Sequence, residues 1–530
     1  MTSSQALKTF AFSLVIGSCS GVVLPQIAYA ASYYINCSAS SNGNGTSSSP
    51  WNSLTSPDAK TFSPGDTIYL DRGTTCYGAF APQGSGSSSA PITVTCYGSG
   101  AVPIIDGQTN NAVIALSNQS YWTIEDLKLL HGEYYGLYVY ASSSITGLNI
   151  TNVEATGAYY TSTAEGDSGE MVLTTEGTNT ATINNTTING AYAHDSTVSR
   201  GIFVQAGNYQ TAGGPKGSNI TIENSEVSNV YGDGILLEDA SNSLITKNTA
   251  TESGECASCS GPTPDGIWNW NSSNVAISWN ESYANNSWGA DGGGFDIDTW
   301  NTNITVEYNY GHDNKGYCIS DFGQGSTPTV NSIIRYNLCV NNDAKSSSQA
   351  LGDIYLYTWN GGALDGTQIY NNTSYFDSSV KGASAFMDAA AFSGSAVDFF
   401  KNNLIYASEG YIVVTAEAPI ALSNNLYYTP SGESLWWGWG GTWYSNFALW
   451  QSGSGQDSES IDANPLLTAP GYDGSTWPTN QYTPGSSSPA VASGANVCSG
   501  ISGCSMGSYD FEGNPNEVGG HYGIGAVEYQ

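Results

Sequence analysis

An aliphatic residue followed three positions later by asparagine recurs at similar intervals through the middle of the 530-residue chain. The strict copies read ITKN, ISWN, VEYN, IRYN and IYNN and end at Asn248, Asn280, Asn309, Asn337 and Asn372; FKNN and LSNN extend the series to Asn403 and Asn425. The intervals are 32, 29, 28, 35, 31 and 22 residues. Because repeats of about 20–50 residues are typical of stacked arrays, the pattern predicts a solenoid.

Each repeat has the pattern of strands and turns. The copy NITVEYNYGHDNKGYCIS contains an alternating strand, an asparagine at a turn, a polar corner, a glycine and a second strand. The chain is rich in glycine, serine, asparagine, threonine and tyrosine and poor in leucine, lysine and glutamate, which disfavours long helices. We therefore predict an all-β fold whose repeats stack as coils of a parallel β-helix. Their asparagine side chains would bond to one another in a ladder along the axis.

The two ends of the chain resemble a known superfamily. The opening segments are YYINCSASSNGNGTSSSPWNSL, PGDTIYLDRGTTCYG and APITVTCYGSGAVPIIDG, and the closing segment is DFEGNPNEVGGHYGIGAVEY. They resemble secreted right-handed parallel β-helix proteins of the pectate-lyase-like superfamily. The resemblance implies a right-handed solenoid with capped ends and activity on carbohydrates. That superfamily holds hydrolases, lyases, epimerases and adhesins, so the fold does not decide the activity.

The N-terminal segment has the features of an export signal. Lys8 precedes an apolar run over 10–17, and Ala28-Tyr29-Ala30 offers a small-x-small cleavage site. We expect a signal peptide over 1–31 and a secreted protein, extracellular or periplasmic. We then expect an N-terminal cap with the first coils over 32–105, a catalytic β-helix over 106–428 and an aromatic-rich region over 429–530. That last region would close the solenoid and partly overhang the cleft.

Charge and cysteines limit the partners. The formal net charge of −33 argues against nucleic acid and anionic membranes, so a neutral polysaccharide or oligosaccharide and a monomeric protein are expected. Disulfides are plausible for an exported chain, and we expect the pairs Cys76–Cys96, Cys318–Cys339 and Cys498–Cys504, with Cys37 left over. Cys256 and Cys259 form a CxxC without a second pair, which disfavours a zinc site.

Aligning the repeats on a glycine predicts which side chains point outward. The segments GIFVQ, GILLE, GIWNW, GFDID and GYCIS begin at Gly201, Gly234, Gly266, Gly294 and Gly316. Because side chains alternate along a strand, Ile202, Ile235, Ile267, Phe295 and Tyr317 would point inward. The outward columns would hold Phe203 and Gln205, Leu236 and Glu238, Trp268 and Trp270, Asp296 and Asp298, Cys318 and Ser320, and further on Tyr355 and Tyr357.

Asp296 and Asp298 are the main catalytic candidates. Two positions along a strand span roughly 6.6 Å, which suits the separation of about 6.5–9.5 Å in inverting glycosidases. One would act as acid and the other as base. Asp321 is a third candidate because FDIDTWN followed by CISDFG weakly resembles β-helix β-xylosidases, which use an Asp nucleophile and a Glu acid. Strict alternation turns Asp321 inward. The substrate-binding candidates are Trp268, Trp270, Glu238, Asp265, Trp300, Tyr355 and Tyr357.

Other interpretations remain open at this stage. The aspartates could be solvated surface residues, or could hold a structural or catalytic calcium together with Asp265 and Asp291, although no cofactor or metal is required for hydrolysis. GGFDID also resembles segments of calcium-dependent β-helix lyases and epimerases. A lyase needs a basic residue, and Lys315 and Arg335 are the candidates nearest the cleft. The third alternative is a glycan-binding solenoid without catalysis.

Overall fold

The computed structural model describes most of the chain after the predicted signal peptide. The described residues are 30–160, 168–176, 180–208, 212–256, 264–287, 291–342, 352–377, 384–394, 396–407, 410–415, 420–430, 435–471 and 477–530. Most of the predicted signal peptide lies outside them. No helix among these residues is long and apolar enough to cross a membrane.

One sheet, here called the site sheet, contains 13 strands of the described chain. The first twelve strands run parallel to one another, and the last two strands form an antiparallel hairpin. Its strands are Ala112–Ser117, Tyr135–Tyr140, Gly169–Thr174, Arg200–Gln205, Asp233–Glu238, Ile267–Trp270, Phe295–Ile297, Ile319–Gln324, Ile354–Trp359, Ser384–Ala389, Gly410–Thr415, Leu435–Trp439 and Thr442–Tyr444.

A second, larger sheet contains 29 described strands and forms the other faces of the solenoid. Its strands are Ser32–Ile35, Thr67–Asp71, Thr75–Tyr77, Ile92–Tyr97, Ile104–Asp106, Trp122–Leu130, Ile145–Thr156, Ile183–Asn189, Tyr192–Ser196, Gly217–Ser218, Ile220–Glu223, Glu226–Val230, Ala240–Thr246, Thr249–Thr251, Ser273–Ser278, Glu281–Tyr283, Thr302–Glu307, Tyr310–His312, Thr329–Val330, Ile333–Arg335, Leu338–Val340, Leu364–Asp365, Gln368–Tyr370, Thr373–Phe376, Phe399–Lys401, Leu404–Ala407, Ala421–Ser423, Leu426–Tyr428 and Ile461–Asp462. A short sheet pairs Thr61–Phe62 with Gln83–Gly84, and the helices are Thr55–Asp58 and Phe447–Ser454.

The strands stack coil on coil as a right-handed parallel β-helix, which confirms the predicted fold. Equivalent residues of successive coils pair directly, as Phe295 does with Ile267 on one side and Ile319 on the other. Ile202 and Ile235 belong to the same inward column, and all five side chains are fully buried. The apolar core is therefore a set of stacked columns running along the axis.

The recurrent asparagines form a hydrogen-bonded ladder along the solenoid. In the middle of this asparagine ladder, the backbone N–H and the Nδ2 of Asn309 both donate to Oδ1 of Asn337 at 3.0 Å. The Oδ1 of Asn309 accepts the same two bonds from Asn280. The members are Asn248, Asn280, Asn309, Asn337, Asn372, Asn403 and Asn425, and Asp457 accepts the last amide.

The backbone turns sharply at each rung of the ladder. The residue before every ladder asparagine has a left-handed φ between 51° and 59°, and three of these residues are Trp279, Tyr308 and Tyr336. Bulky residues seldom adopt this conformation. The side-chain hydrogen bonds of the following asparagine hold the turn. They offset the conformational strain of the left-handed residue at every coil.

The predicted alignment of the repeats is wrong at Gly316, because the corner before that strand of the site sheet has a different length. Gly294 aligns with Cys318 because the next residues, Phe295 and Ile319, pair across the coils. Cys318 lies in the corner before the strand, and its side chain is buried in the core, where it forms a disulfide with Cys339. The alignment on Gly316 is therefore two residues out of register, and Tyr317, which was predicted to point inward, belongs to the corner and not to the strand. The two positions that follow, Ile319 inward and Ser320 outward, resume the expected pattern.

Two predicted disulfides are confirmed and one is wrong. Cys318–Cys339 and Cys498–Cys504 are present, but Cys76 pairs with Cys37 and leaves Cys96 free. Cys96 belongs to strand Ile92–Tyr97 and lies opposite Leu70 of strand Thr67–Asp71. Cys76 belongs to strand Thr75–Tyr77 and lies opposite Ile105 of strand Ile104–Asp106. The two thiols therefore lie on different faces of the solenoid. Of the CxxC pair, Cys259 lies outside the described residues.

The aromatic-rich C-terminal segment seals the end of the solenoid. Its helix Phe447–Ser454 packs Trp450, which is fully buried, against Trp439 and Tyr444 of the terminal hairpin. The chain over 477–530 instead packs on strands of the larger sheet on both sides of the ladder. There Arg335 donates to the carbonyl of Ser505. The described contacts of this last region thus lie on a face other than the site sheet, unlike the predicted overhang.

We predict that Asn309→Ala lowers the free energy of unfolding by roughly 2–4 kcal/mol, because it leaves buried donors of Asn280 without their acceptor. Urea unfolding followed by circular dichroism measures the change. Asn303→Gly is the control: Asn303 belongs to an exposed row of amides, and glycine tolerates its φ of 57°. Equal losses in the two variants would contradict a special role for the buried ladder.

Candidate functional site

The outer face of the site sheet brings the main candidates into one column. Trp268, Asp296, Ser320 and Tyr355 lie on four successive coils and pair directly in that order. In a parallel β-helix such neighbours are separated by about 4.8 Å. The expected juxtaposition of the tryptophan and the aspartate is therefore present, and a tyrosine lies two coils beyond the aspartate.

Asp296 is enclosed although it points to the outer face. Its side chain is 3% exposed, and its Oδ1 accepts a 2.5 Å hydrogen bond from Ser320 Oγ. Burial raises the pKa of Asp296 well above its ordinary value, and the negative charges of Asp298 and Asp265 raise it further. The carboxyl group consequently retains a proton at a pH at which a surface aspartate is ionised.

Asp298 stands one step further along the same face but in different surroundings. Its backbone N–H donates to the carbonyl of Asn269, so the coil pairing continues beyond the strand. The Oδ1 of Asp298 accepts from the N–H of Thr299 at 2.7 Å, and the residue is half-buried. The pair thus combines an enclosed carboxyl with a more open one.

Asp265 lies behind this pair and is held by three donors. Its Oδ1 accepts from the N–H groups of Gly292 and Gly293, and its Oδ2 accepts from the hydroxyl of Tyr317 at 2.8 Å. Burial and the charge of Asp291 raise the pKa of Asp265 well above its ordinary value. Asp265, which was expected to contact substrate, is as enclosed as Asp296, and both of its carboxyl oxygens accept hydrogen bonds.

Tyr317 is a site residue that the sequence alignment missed. Its ring is fully buried on the outer face against the backbone of Gly293, where a Cβ would lie 2.1 Å from the ring. Gly293, the middle glycine of the run DGGGF, leaves the space that this ring occupies, which explains why a glycine stands at that position. The three adjacent glycines were therefore a usable signal for an aromatic neighbour.

Tryptophans form one wall of the site. Trp270 and Trp300 stack with ring centroids 5.2 Å apart, and Trp270 Nε1 donates to Thr299 Oγ1. Trp268 Nε1 donates to Asp233 at 3.1 Å. All three rings are half-buried, so part of each indole reaches the surface. The structure brings these three candidates to the coils that carry Asp296 and Asp298.

A row of aromatic side chains forms the opposite wall. Tyr355, Tyr357 and Trp359 alternate along one strand and lie parallel, with centroids 5.8 and 5.7 Å apart. Phe322 of the preceding coil meets all three edge to face. Tyr357 is 39% exposed. Aromatic walls on both sides of a carboxyl pair suit a sugar ring, whose C–H faces pack against aromatic surface.

Two other candidates lie away from the pair. Asp321 is opposite Ile297 and points into the core, where its Oδ2 accepts from Thr367 at 2.9 Å. Asp321 therefore points inward, as strand alternation predicts, and it does not lie on the outer face with Asp296 and Asp298. Glu238 points outward opposite Trp270 but is 6% exposed, and it accepts a bond from Gln205.

A calcium ion does not fit the carboxylates of this region. Both oxygens of Asp265 already accept hydrogen bonds, and Asp296 accepts from Ser320. Within the described ranges no group of three or more potential ligands has an arrangement that could hold a metal. A calcium site would need these donors to be displaced.

Of the two basic residues considered for a lyase, Lys315 lies in the corner before Gly316, where its backbone N–H donates to the carbonyl of Asn285. Arg335 lies on another face, where it pairs with Glu307. Arg200 does lie on the site sheet, but its guanidinium covers Phe203 and approaches Asp233 at 3.7 Å. Arg200 directly precedes Gly201, on which the repeats align, and the repeat pattern gave no signal for it.

Comparison with known proteins agrees with the fold. A family model described as a right-handed beta helix region matches residues 112–337. The native lacto-N-biosidase of family GH136 from Eubacterium ramulus has a TM-score of 0.53 at 17% identity, covering 76% of this chain and 64% of that one. The chain therefore spans less than two thirds of the biosidase. A search of curated protein sequences finds no match.

Two further solved structures share the architecture more loosely. The pectate lyase Pel9A has a TM-score of 0.43 at 16% identity and covers 95% of this chain and 98% of its own. An alginate lyase from Paenibacillus sp. str. FPU-7 has a TM-score of 0.40 at 16% identity, covering 64% and 99%. At these identities the similarity concerns the fold.

We predict that Asp321→Asn changes stability and not turnover. Burial raises the pKa of Asp321 to about 7, from a value near 3.8 in the unfolded chain. The stability that the protonated carboxyl gives the folded state is therefore fully present below pH 3.8, and it is lost as the pH rises through 7. The variant should match the wild type at pH 4. At pH 8 its free energy of unfolding should exceed that of the wild type by on the order of 2–4 kcal/mol.

Urea unfolding at the two pH values tests this prediction. Asp126→Asn is the control because Asp126 lies on another face and asparagine tolerates its φ of 56°. A variant with unchanged pH dependence of stability but a large loss of turnover would restore Asp321 to the catalytic group.

Proposed function

We propose that this protein is a secreted glycoside hydrolase that cleaves a neutral polysaccharide or oligosaccharide on the outer face of the solenoid. The observation that carries the proposal is the unequal carboxyl pair between aromatic walls: enclosed Asp296 and more open Asp298, two positions apart on one strand. The similarity in fold to a protein named as a lacto-N-biosidase supports a carbohydrate substrate.

The two carboxyls take different roles because their surroundings differ. Asp296 has the raised pKa and a single hydroxyl donor from Ser320, so it is the proton donor, the general acid. Asp298 accepts a backbone N–H and reaches solvent, so it is the general base that activates water. Backbone positions roughly 6.6 Å apart leave room for that water.

Each turnover then consumes one water molecule. The water oxygen bonds to the anomeric carbon while the bond from that carbon to the glycosidic oxygen breaks. Asp296 gives its proton to the departing oxygen, and Asp298 takes a proton from the attacking water. Attack on the face opposite the leaving group inverts the anomeric centre. Proton exchange with solvent restores both carboxyl groups.

The stacked rings supply binding and desolvation. The half-buried indoles of Trp270 and Trp300 offer apolar surface to a sugar, and Tyr355 and Tyr357 offer it on the other side. A neutral substrate avoids repulsion by the formal net charge of −33. A uronic polymer with calcium as its neutralising ion is disfavoured, since the carboxylates that would hold the ion already accept hydrogen bonds.

We predict that Asp296→Asn and Asp298→Asn each lower turnover by roughly 10²–10⁴-fold, the usual contribution of a general acid or base. The assay measures reducing ends released from a panel of neutral and uronic glycans, with calcium and with chelator. Asp126→Asn, on another face, should retain wild-type turnover, and circular dichroism should be unchanged in all three. Full activity in both site variants would overturn the assignment.

We predict that Asp265→Asn moves the basic limb of the kcat/KM profile to lower pH, on the order of one unit. The negative charge of Asp265 raises the pKa of Asp296, so its removal makes the acid lose its proton earlier. Asparagine can still accept from Gly292 and Gly293. A limb that stays in place or moves to higher pH would contradict the coupling.

A further inference from the structure

The outer face of the site sheet is covered along part of its length. On the three coils before Trp268, six side chains that point outward are only 0–6% exposed. We call them the covered block, and they are Val172, Thr174, Phe203, Gln205, Leu236 and Glu238. Tyr135, Tyr138 and Trp268 of the flanking coils pack against the apolar members, and Arg200 lies over Phe203, so this stretch presents no open groove.

Specific contacts fasten the covered block. Arg200 places its guanidinium carbon 4.2 Å from the centre of the Phe203 ring. The polar side of the block is a closed row in which Thr174 donates to Gln205 and Gln205 donates to Glu238, at 2.8 and 2.9 Å. Buried apolar packing together with satisfied polar groups makes a stable cover.

The segment over 213–216, which follows the covered strand Arg200–Gln205, extends along the edge of the site sheet toward the coil of Trp268. Gly213 N–H donates to Asn271 Oδ1, and the ammonium of Lys216 binds Asn271 through its backbone carbonyl and its side chain. Asn271 directly follows Trp270, and Asp239 of the preceding coil accepts its amide. The chain around 213–216 is thereby anchored beside the tryptophan coil.

On the other side of Asp296, the outward Ser320 and Phe322 of the next coil are buried, and exposure returns one coil later. There Tyr355 and Trp359 are partly exposed and Tyr357 is 39% exposed, and the next coil presents a half-buried Met387. The covered block begins two coils before Asp296, about 9.6 Å away, with the coil of Trp268 between them. Three further coils, about 14 Å, extend in the opposite direction.

We propose that the cleft is closed at the covered block and open beyond Tyr357, so that the protein acts on chain ends and releases a short, fixed product. The proposal rests on the hydrolytic function proposed above. A pyranose unit in an extended chain is about as long as one coil spacing. One side of the cleavage point therefore holds one or two sugar units, while the other side holds a longer stretch of the glycan.

Product analysis at low conversion tests the closed end. The probe is the neutral glycan from the panel that the wild type degrades, offered as a reducing-end-labelled oligosaccharide series and as a polymer blocked at both ends. The expected result is one mono- or disaccharide from the first time point, with the blocked polymer cleaved at least 100-fold more slowly. A ladder of intermediate sizes, or equal cleavage of the blocked polymer, would overturn the closed end and leave the hydrolase intact.

A variant tests which residues close the cleft. Arg200→Ala removes the guanidinium over Phe203 and should add products of intermediate size. If this variant does not fold, the wild-type product pattern still decides the proposal. Uronic substrates read by ultraviolet absorbance separate the two claims: a single short unsaturated product would overturn hydrolysis and keep the closed end. No cleavage of any glycan would overturn both.

Discussion

The amide ladder that joins the coils is the interaction on which the rest of the molecule depends. It holds each sharp turn in place and keeps equivalent residues of successive coils opposite one another, as in the bonds from Asn280 to Asn309 and on to Asn337. This register decides which side chains point outward and which neighbours they meet. A shift of one position would exchange the inner and outer faces of a strand.

The chemistry of each carboxyl group follows from its column and not from its residue type. Asp296 and Asp321 lie on adjacent coils and are both buried, yet one points to the outer face between aromatic side chains and the other into the core. Burial raises the pKa of both. Only Asp296 has a second carboxyl beside it on an open face, which is the arrangement that acid and base catalysis requires.

Much of the architecture was predictable from local patterns. The spacing of the asparagines indicated the coils and the ladder, and strand alternation correctly put Trp268 and Asp296 on one outward column. The alignment failed at Gly316 because a corner of different length precedes that strand. As a result Tyr317, which donates to Asp265, was assigned to the core. Corner length depends on packing against the previous coil, which a repeat pattern does not encode.

Contacts across larger distances in the chain were equally beyond the pattern. The Cys37–Cys76 bond depends on how the first strand stacks on the second coil, and the cover over Phe203 depends on Arg200 and on the segment that binds Asn271. The spacing of Asp296 and Asp298 in the sequence also did not indicate which of the two would be the general acid. The acid that we propose rests on the difference in burial between Asp296 and Asp298, which is a property of the folded site.

The anomeric configuration of the freshly released sugar tests the central claim most directly. Proton nuclear magnetic resonance would follow the first minutes of degradation of the glycan that the wild type cleaves. The account predicts that the new reducing end appears with the configuration opposite to that of the cleaved bond. Retention of configuration would contradict an acid and a base two positions apart on one strand, and an unsaturated sugar would contradict hydrolysis itself.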